Sequence, residues 1–365
     1  MIPIAKPSIS EGEIKSVSEV LKSGVIAQGP KVKEFEEQFA KFIGTKYAVA
    51  VNSGTAALHC SLYAAGIKPG DEVITTPFTF VATANSILMQ GAIPILADIE
   101  EETFNIDSNK VESKITKKTK AILPVDLYGH PYDYEKIRKI ADKHNLKIIE
   151  DACQAIGADY NEIKCGALGD MAAFSFYATK NITTAEGGMV TTDNEKFAEL
   201  VKHFRHHGQN EKIKYDYFDL GYNYRMADIN AAIGIVQLKK INDWNKKRIR
   251  NAEYLSKGLS KIKGIKIPII KNNCTHVFHQ YAIKVEDNFR LSRDELIAHL
   301  TKNGIGCAIY YPKPLHLFNH IKRFGYKEGD FPVAERLSKQ VLSLPVHPQL
   351  TKEDLDLIIK TISEL

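Results

Sequence analysis

The residue of greatest chemical interest is Lys180, which lies between the apolar run Phe174-Ser-Phe176 and the turn Gly187-Gly188. Removing an ammonium group from water costs free energy, so a buried lysine has a lowered pKa and a nucleophilic amine. Such an amine can form an imine with an aldehyde or a ketone. A lone lysine would more often close a loop and extend its ammonium to water. The other polar stretches of the chain therefore have to decide between these two roles.

A pair of acids, Glu150 and Asp151, ends a short apolar run that begins at Lys147. A carboxylate in this place can pair with a protonated pyridine nitrogen and keep the ring an electron sink. Asp151 is the better candidate because it lies just past the predicted strand, although it could instead cap a following helix. It precedes Lys180 by about one helical crossover, so the two side chains can meet at neighbouring strand ends.

A phosphate site is predicted at Asn52-Ser-Gly-Thr55, which joins a short apolar strand to a helical run. Backbone N–H groups and the positive end of the helix dipole favour an anion there. Gly54 allows a close approach and Thr55 adds a hydroxyl. The alternative is an ordinary strand-to-helix turn in which Ser53 is the N-cap.

Two aromatic or cationic stretches also follow predicted strands or precede helices. Phe80 comes shortly after the strand Glu72–Thr75 and could stack on a flat heterocycle, although core packing is the usual role of a phenylalanine. Asn223 and Arg225 lie in a polar and aromatic segment before an alanine-rich helix. Arg225 could bind an anion and Asn223 could donate to a phosphate, but a structural role is equally favoured for both.

Short apolar strands alternate with helices through the first half of the chain, after two amphipathic helices at Glu11–Leu21 and Lys31–Ile43. Runs of this length imply a buried, mainly parallel sheet with helices on both faces. Ligands of such sheets gather at the carboxyl ends of the strands. The predicted strands are Tyr47–Val51, Glu72–Thr75, Ile93–Ala97, Ala121–Val125, Lys147–Glu150, Ala172–Phe176 and Met189–Thr192.

The second half of the chain predicts a smaller α/β domain. Strand-like pieces occur at Gln280–Val285 and Cys307–Tyr311, and helices are predicted at Arg293–Lys302, Pro332–Val341 and Lys352–Ile362. We place a large doubly wound domain, with the N-terminal helices, at residues 1–245 and a small C-terminal domain at residues 246–365. No linker rich in proline or serine separates them, so the two domains are expected to share a continuous interface.

Composition excludes several function classes. The 365 residues are 44% hydrophobic and 25% charged, as in an ordinary globular protein, and a net charge of +5 is too small and too dispersed to predict nucleic-acid binding. Five cysteines without CxxC spacing, no signal-peptide pattern and no apolar run of membrane-spanning length predict a cytoplasmic protein. The histidines 203, 206 and 207 lack carboxylate or cysteine neighbours, so no metal site is expected. Nicotinamide, P-loop and serine-hydrolase fingerprints are also absent.

Taken together, these stretches resemble the DegT/StrS family of sugar aminotransferases, which use pyridoxal phosphate (PLP) and have the fold-type I architecture. The similarity extends in order across nearly the whole chain. The matching motifs are Asn52-Ser-Gly-Thr-Ala-Ala-Leu58, Pro69-Gly-Asp-Glu-Val73, Thr76-Pro-Phe-Thr-Phe-Val-Ala-Thr83, Leu127-Tyr-Gly129, Glu150-Asp-Ala-Cys-Gln154, Ser175-Phe-Tyr-Ala-Thr-Lys180, Glu186-Gly-Gly188, Gly221-Tyr-Asn-Tyr-Arg225 and Tyr311-Pro-Lys-Pro-Leu-His316.

The resemblance implies a role for each candidate residue. Lys180 would form the imine with the cofactor, and Asp151 would partner its pyridine nitrogen. Asn223 would reach the cofactor from the other subunit of a homodimer, in which the site is shared across the interface. The remaining cofactor contacts implied by the resemblance are the phosphate from Gly54, Thr55 and Ser175, the phenolic oxygen from Gln154 and the ring face from Phe80. Substrate contacts are implied for Arg225, Tyr311 and His316.

The lysine at position 180 favours amino transfer, since related sugar dehydratases carry a histidine there. The expected substrates are L-glutamate and a nucleotide-linked 3-keto or 4-keto hexose, with a UDP-linked sugar favoured. A deoxysugar dehydratase and a non-catalytic regulatory relative are the alternatives. Two positions depart from the family pattern: Asp126, where a histidine is frequent, and Ala185, where a glycine is common.

Overall fold

The computed structural model describes residues 1–210, 213 and 215–365. The strands are β1 (Tyr47–Val51), β2 (Glu72–Thr75), β3 (Ile93–Leu96), β4 (Thr119–Ile122), β5 (Lys147–Asp151), β6 (Asp159–Tyr160), β7 (Ile163–Lys164), β8 (Met171–Ser175), β9 (Gly188–Thr192), β10 (Ile265–Lys266), β11 (Cys274–Thr275), β12 (Tyr281–Val285) and β13 (Val341–Leu344). The helices are α1 (Glu11–Ser23), α2 (Pro30–Ile43), α3 (Gly54–Ala64), α4 (Ala82–Met89), α5 (Ser108–Val111), α6 (Tyr134–His144), α7 (Glu195–Arg205), α8 (Asp228–Leu238), α9 (Ile241–Leu259), α10 (Arg293–Lys302), α11 (Asn319–Lys322), α12 (Pro332–Gln340) and α13 (Lys352–Ser363).

A sheet of seven strands in the order β1-β9-β8-β5-β4-β2-β3 forms the centre of the large domain. The pairs from β8 through β5, β4 and β2 to β3 are parallel, and β9 runs antiparallel to both β8 and β1. The mainly parallel α/β architecture predicted from the sequence is therefore confirmed. The carboxyl ends of β1, β2, β4, β5 and β8 meet at one edge of the sheet.

Alternate residues of each strand pack on opposite faces of this sheet. On one face Val49 and Ile149 pack with residues of α3, α4 and α7, and on the other Ala48 and Ile148 pack with residues of α2, α6 and α8. Both faces are covered, because apolar runs such as Ile148–Ile149 have no polar position to turn toward water. No helix in the described ranges is long and apolar enough to cross a membrane.

The C-terminal part contains a three-stranded antiparallel sheet, β10-β12-β13, which shares an apolar core with α9, α10 and α13. The prediction of a strand at Cys307–Tyr311 was wrong, because only Ala308 makes a bridge, to Ser343. The third strand is β13, which begins at Val341, where the sequence predicted the end of a helix. The predicted domain boundary at 245/246 falls inside α9, and the division itself stays a prediction.

One of the two departures from the family pattern carries a backbone cost. Ala185 has φ = 68°, in the left-handed region that disfavours residues with a Cβ, and its N–H donates to Thr183 Oγ1 at 2.9 Å. It is exposed, in the turn between Lys180 and β9. A left-handed conformation costs an L-residue about 1–2 kcal/mol, which gives a physical reason for a glycine here.

We expect Ala185→Gly to stabilise the protein by about 0.5–1 kcal/mol, the relief of strain less the added entropy of glycine in the unfolded chain. The matched control is Ala298→Gly, an exposed alanine inside α10, which should destabilise by about 1 kcal/mol. Chemical denaturation of both variants measures the difference. Equal destabilisation by the two substitutions would contradict strain at residue 185.

Candidate active site

Asp151 is the last residue of β5 and is 5% exposed. Both of its carboxylate oxygens accept hydrogen bonds: Oδ2 from the Thr83 hydroxyl at 2.7 Å and Oδ1 from the Cys153 N–H at 3.2 Å. Its backbone is fixed as well, since its N–H donates to the carbonyl of Pro124 at 2.9 Å. The carboxylate is therefore held in one orientation at the edge where the strands end.

Lys180 follows β8, the neighbour of β5, and its side chain is half-buried. Burial lowers the pKa of the Lys180 amine, while the negative charges of Cys153 and Asp151 oppose that shift. Both groups act on the lysine because the two strand ends lie side by side. Lys180 and Asp151, which are distant in sequence, are thus brought together.

The start of α3 forms a cradle for an anion between Gly54 and Ser175. Ser53 is the N-cap and accepts the N–H of Ala56 at 3.1 Å, and the first N–H groups of any helix lack acceptors within it. A Cβ at Gly54 would lie 2.8 Å from the Cβ of Ser175 and 3.1 Å from Cys153 Sγ. Only glycine fits, so Ser175 and the helix start are held at close range. Thr55, half-buried, is the next residue of this first turn.

Gln154 connects the large domain to the C-terminal part. Its side-chain oxygen accepts the Tyr128 N–H at 2.9 Å, and its amide nitrogen donates to the Tyr311 hydroxyl at 3.3 Å. Burial raises the pKa of Tyr311, and the Asp151 charge raises it further, so the phenol stays protonated. The ring centroid of Phe80, which is 55% exposed, lies 6.4 Å from that of Tyr311. Phe80 and Tyr311 thus lie on the same side of the site as Gln154.

The other predicted site residues lie differently. Asn223 is exposed, and its carbonyl accepts a hydrogen bond from Asn52 of the same chain at 3.3 Å. Arg225 bonds to His206 Nδ1 at 2.5 Å. His316 is fully buried and pairs through Nε2 with Glu335 at 2.9 Å. Burial lowers its pKa, against the effect of Glu335. The imidazole of His316 is therefore committed to a contact inside the C-terminal part of the chain.

Two contributors escaped the sequence reasoning. Thr83 is one helical turn after Thr79, with their hydroxyls 3.0 Å apart, and this spacing just past a strand end was the available signal. His279 is buried beside the lysine loop. Burial lowers its pKa well below the ordinary range, and the charges of Lys180 and Arg248 lower it further. No pattern in the sequence linked the segment around His279 to Lys180, because its position depends on domain packing.

The identity of the chain follows from comparison with known proteins. Residues 7–363 match the sequence model of the DegT/DnrJ/EryC1/StrS aminotransferase family. The chain belongs to this family. Its members use PLP, and the mainly parallel sheet described above is that of their fold.

Three relatives illustrate the match. The chain is 41% identical to the spore coat polysaccharide biosynthesis protein SpsC of Bacillus subtilis, over 100% of this chain and 97% of that protein. It is 37% identical to GDP-perosamine synthase of Caulobacter vibrioides, covering 100% and 98%. The solved PLP form of the sugar aminotransferase Spr1654 from Streptococcus pneumoniae superimposes with a TM-score of 0.94 at 32% identity, covering 100% and 98%. This protein is therefore a PLP-dependent sugar aminotransferase.

The side chains present fit the cofactor that the family uses. The cradle closed to any side chain at Gly54 suits a phosphate at a helix start. A buried carboxylate with oriented oxygens and an enclosed amine lie at the adjoining strand ends. Gly54, Thr55 and Ser175 would hold the phosphate, and Asp151 would face the ring nitrogen.

The Thr83 hydroxyl orients Asp151, so its loss should weaken cofactor binding and catalysis. We expect Thr83→Val to lower kcat about tenfold or more, because hydrogen bonds to charged groups contribute about 1.5–3 kcal/mol. Thr83→Ser keeps the donor and is the matched control, with kcat within about twofold of wild type. Steady-state kinetics and cofactor titration of both variants provide the measurement. Equal kcat in Thr83→Val and wild type would count against this role.

Proposed function

We propose that this aminotransferase moves an amino group from L-glutamate to a nucleotide-linked keto hexose, with a UDP-linked sugar favoured, for aminosugar and surface polysaccharide synthesis. The names of GDP-perosamine synthase and of the spore coat polysaccharide protein SpsC support this direction. The observation that carries it is the Lys180 amine beside the held Asp151 carboxylate, next to the anion cradle at Gly54. We also propose a cytoplasmic location, supported by five free cysteines.

Lys180 acts as the acid–base group. PLP, when bound, supplies an aldehyde carbon and an electron-withdrawing ring. The Lys180 Nζ removes the proton from the α carbon of the amino donor and, in the second half of the reaction, returns a proton to the sugar carbon that receives the nitrogen. Its lowered pKa makes the neutral, basic amine accessible closer to neutral pH than for a lysine in water.

Asp151 keeps a fixed negative charge at the end of β5. The Thr83 hydroxyl and the Cys153 N–H leave the carboxylate oriented rather than free to rotate. A charge held in this way stabilises a positive ring nitrogen without reorganising during the reaction. Gln154 and the Tyr311 hydroxyl add neutral hydrogen-bonding groups on the same side.

A homodimer with a shared active site is part of the proposal. Three large apolar side chains follow one another closely in the exposed segment before Asn223: Tyr217, Phe218 and Leu220 are 55%, 60% and 67% exposed. Grouped exposed apolar surface of this kind favours a protein partner. Asn223 is exposed at the end of the segment, where its side chain can reach the phosphate of the partner subunit.

Substitution of the lysine tests the activity. Lys180→Ala and Lys180→Arg should both abolish amino transfer, since a guanidinium keeps the charge but cannot act as a base near neutral pH. The assay incubates wild type and variants with a panel of UDP-, GDP- and dTDP-ketosugars, with and without glutamate, and reads the product mass. Turnover in Lys180→Ala would refute the role of Lys180. Product formed by wild type without an amino donor would favour a dehydratase.

Mixing of two inactive variants tests the shared site. Lys180→Ala and Asn223→Asp, unfolded and refolded together in equal amounts, should recover about a quarter of wild-type activity, because half of the dimers are mixed and each has one intact site. Each variant refolded alone is the control. Recovery no greater than the sum of the two controls would assign Asn223 to its own subunit's site.

A further inference from the structure

Two carboxyl groups are buried together behind Asp151. Glu150 of β5 and Asp126, which follows β4, are both 0% exposed. A ligand atom of each, and Cys165 Sγ, all lie within 4.8 Å of one another. Neither carboxyl forms a salt bridge with any residue in the described part of the chain. Two adjacent negative charges without a cation would be strongly unfavourable in a low-dielectric interior.

The hydrogen-bond donors are divided unequally between the two acids. Glu150 accepts three backbone N–H groups, from Gly166 at 2.8 Å and from Leu168 and Gly169 at 3.3 Å. Asp126 accepts only the Tyr132 N–H, at 3.0 Å on Oδ1. Its Oδ2 has no donor among the described residues. The negative charge is therefore stabilised on Glu150, and the bare oxygen of Asp126 is the atom that can carry a proton.

We propose that Asp126 and Glu150 share one retained proton, resident on Asp126 Oδ2 and donated to Glu150, and that this contact makes Asp126 a positioning residue for Asp151. The shared proton stands on the cluster alone. The positioning role rests on the proposed function of Asp151.

The surroundings of the pair agree with a retained proton. Burial raises the pKa of Asp126 well above its ordinary value, and the neighbouring Glu150 charge raises it further. The other titratable groups that face the pair are Tyr132, whose buried hydroxyl has no partner among the described residues, Cys165, and Cys274 of β11. Burial and the two acids raise the pKa of Tyr132 and Cys165, so both stay neutral.

The backbone connects the pair to Asp151. The Asp126 N–H donates to the Asp151 carbonyl at 3.1 Å, and the Asp151 N–H donates to the Pro124 carbonyl at 2.9 Å. The segment from Pro124 to Asp126 thus holds Asp151 on both sides of its peptide. With the proton in place, Asp126 is bonded to Glu150 and the segment is fixed. Loss of the proton would put two anions in contact and push this segment away from β5.

A bound cation is the competing occupant of the cluster. Both oxygens of Glu150 already face backbone N–H groups, which repel a metal ion and leave few free lone pairs for coordination. A proton needs only the one bare oxygen of Asp126. This also accounts for the departure at position 126: a histidine there can pair with Glu150 as a cation, whereas an aspartate has to bring its own proton.

Two isosteric variants test the location of the proton. Asp126→Asn places an amide N–H where the proton is proposed, so the variant should fold and keep its bond to Glu150. Glu150→Gln removes an acceptor from the backbone N–H groups of residues 166–169 and should lower the folding equilibrium constant at least tenfold relative to Asp126→Asn. Equal losses in the two variants would overturn the assignment to Asp126.

The pH dependence of unfolding gives the decisive sign. Between the ordinary pKa of an aspartate and its raised folded value, the folded protein binds one more proton than the unfolded chain. Wild-type stability therefore falls as pH rises, by up to about tenfold per pH unit in the folding equilibrium constant. Asp126→Asn lacks this term, so cofactor-free variant and wild type should converge at low pH and the variant should gain on wild type as pH rises. A ratio independent of pH would refute the shared proton.

Two direct readouts complete the test on the wild-type protein. The infrared spectrum should contain a protonated carboxyl C=O band that shifts in heavy water and is absent in Asp126→Asn. Elemental analysis of the purified protein should find no stoichiometric metal. About one equivalent of metal per chain that Asp126→Asn abolishes, or absence of the infrared band, would overturn the proposal.

The positioning role has its own readout in the holoenzyme. Visible absorbance of the bound cofactor, followed as pH rises, should be lost at lower pH in wild type than in Asp126→Asn. If the unfolding and infrared results hold but the two absorbance profiles coincide, the proton is shared without positioning Asp151. If Asp151→Asn leaves cofactor binding and activity intact, it is the proposed function of Asp151 that fails.

Discussion

The attraction between a buried amine and a buried carboxylate is the interaction on which the site depends. Burial alone lowers the pKa of Lys180, and the charges of Asp151 and Cys153 oppose that effect. The balance leaves an amine that can exchange a proton near neutral pH, which a fully solvated lysine cannot do efficiently. Every other feature of the site either brings these two groups together or prevents them from turning away.

Parallel strand pairing brings them together. β5 and β8 are adjacent and parallel, with Asp151 opposite Ala173, so the residues that follow each strand leave at the same edge of the sheet. Contacts from outside the sheet then restrict the lysine loop. Asn181 donates to the Asn245 side chain at 2.9 Å and to the Val277 carbonyl at 3.3 Å, and Arg248 donates to the Phe278 carbonyl at 3.2 Å. The residue after Lys180 is therefore tied to α9 and to the segment that leads into the C-terminal sheet.

The positions that depart from the family pattern do so at a structural level rather than at the reacting atoms. Ala185 occupies a backbone conformation that glycine adopts more easily. Asp126 does not face the substrate side at all, because its carboxyl is buried against Glu150. Changes of this kind alter strain and the proton inventory around the strand ends, while the residues that would contact the cofactor remain as the motifs have them.

The sequence by itself determined the large sheet, because uninterrupted apolar runs such as Ile148–Ile149 have one stable environment and glycine-rich turns mark where each run ends. It also placed Lys180, Asp151 and Gly54 correctly at strand ends, since local pattern fixes which residue follows a strand. Only the tertiary structure decided the rest. Thr83 as a partner of Asp151, His279 beside the lysine loop, β13 in place of the strand predicted at Cys307–Tyr311, and the burial of His316 all depend on contacts between distant segments. Such contacts are set by packing between elements, and no local periodicity records them.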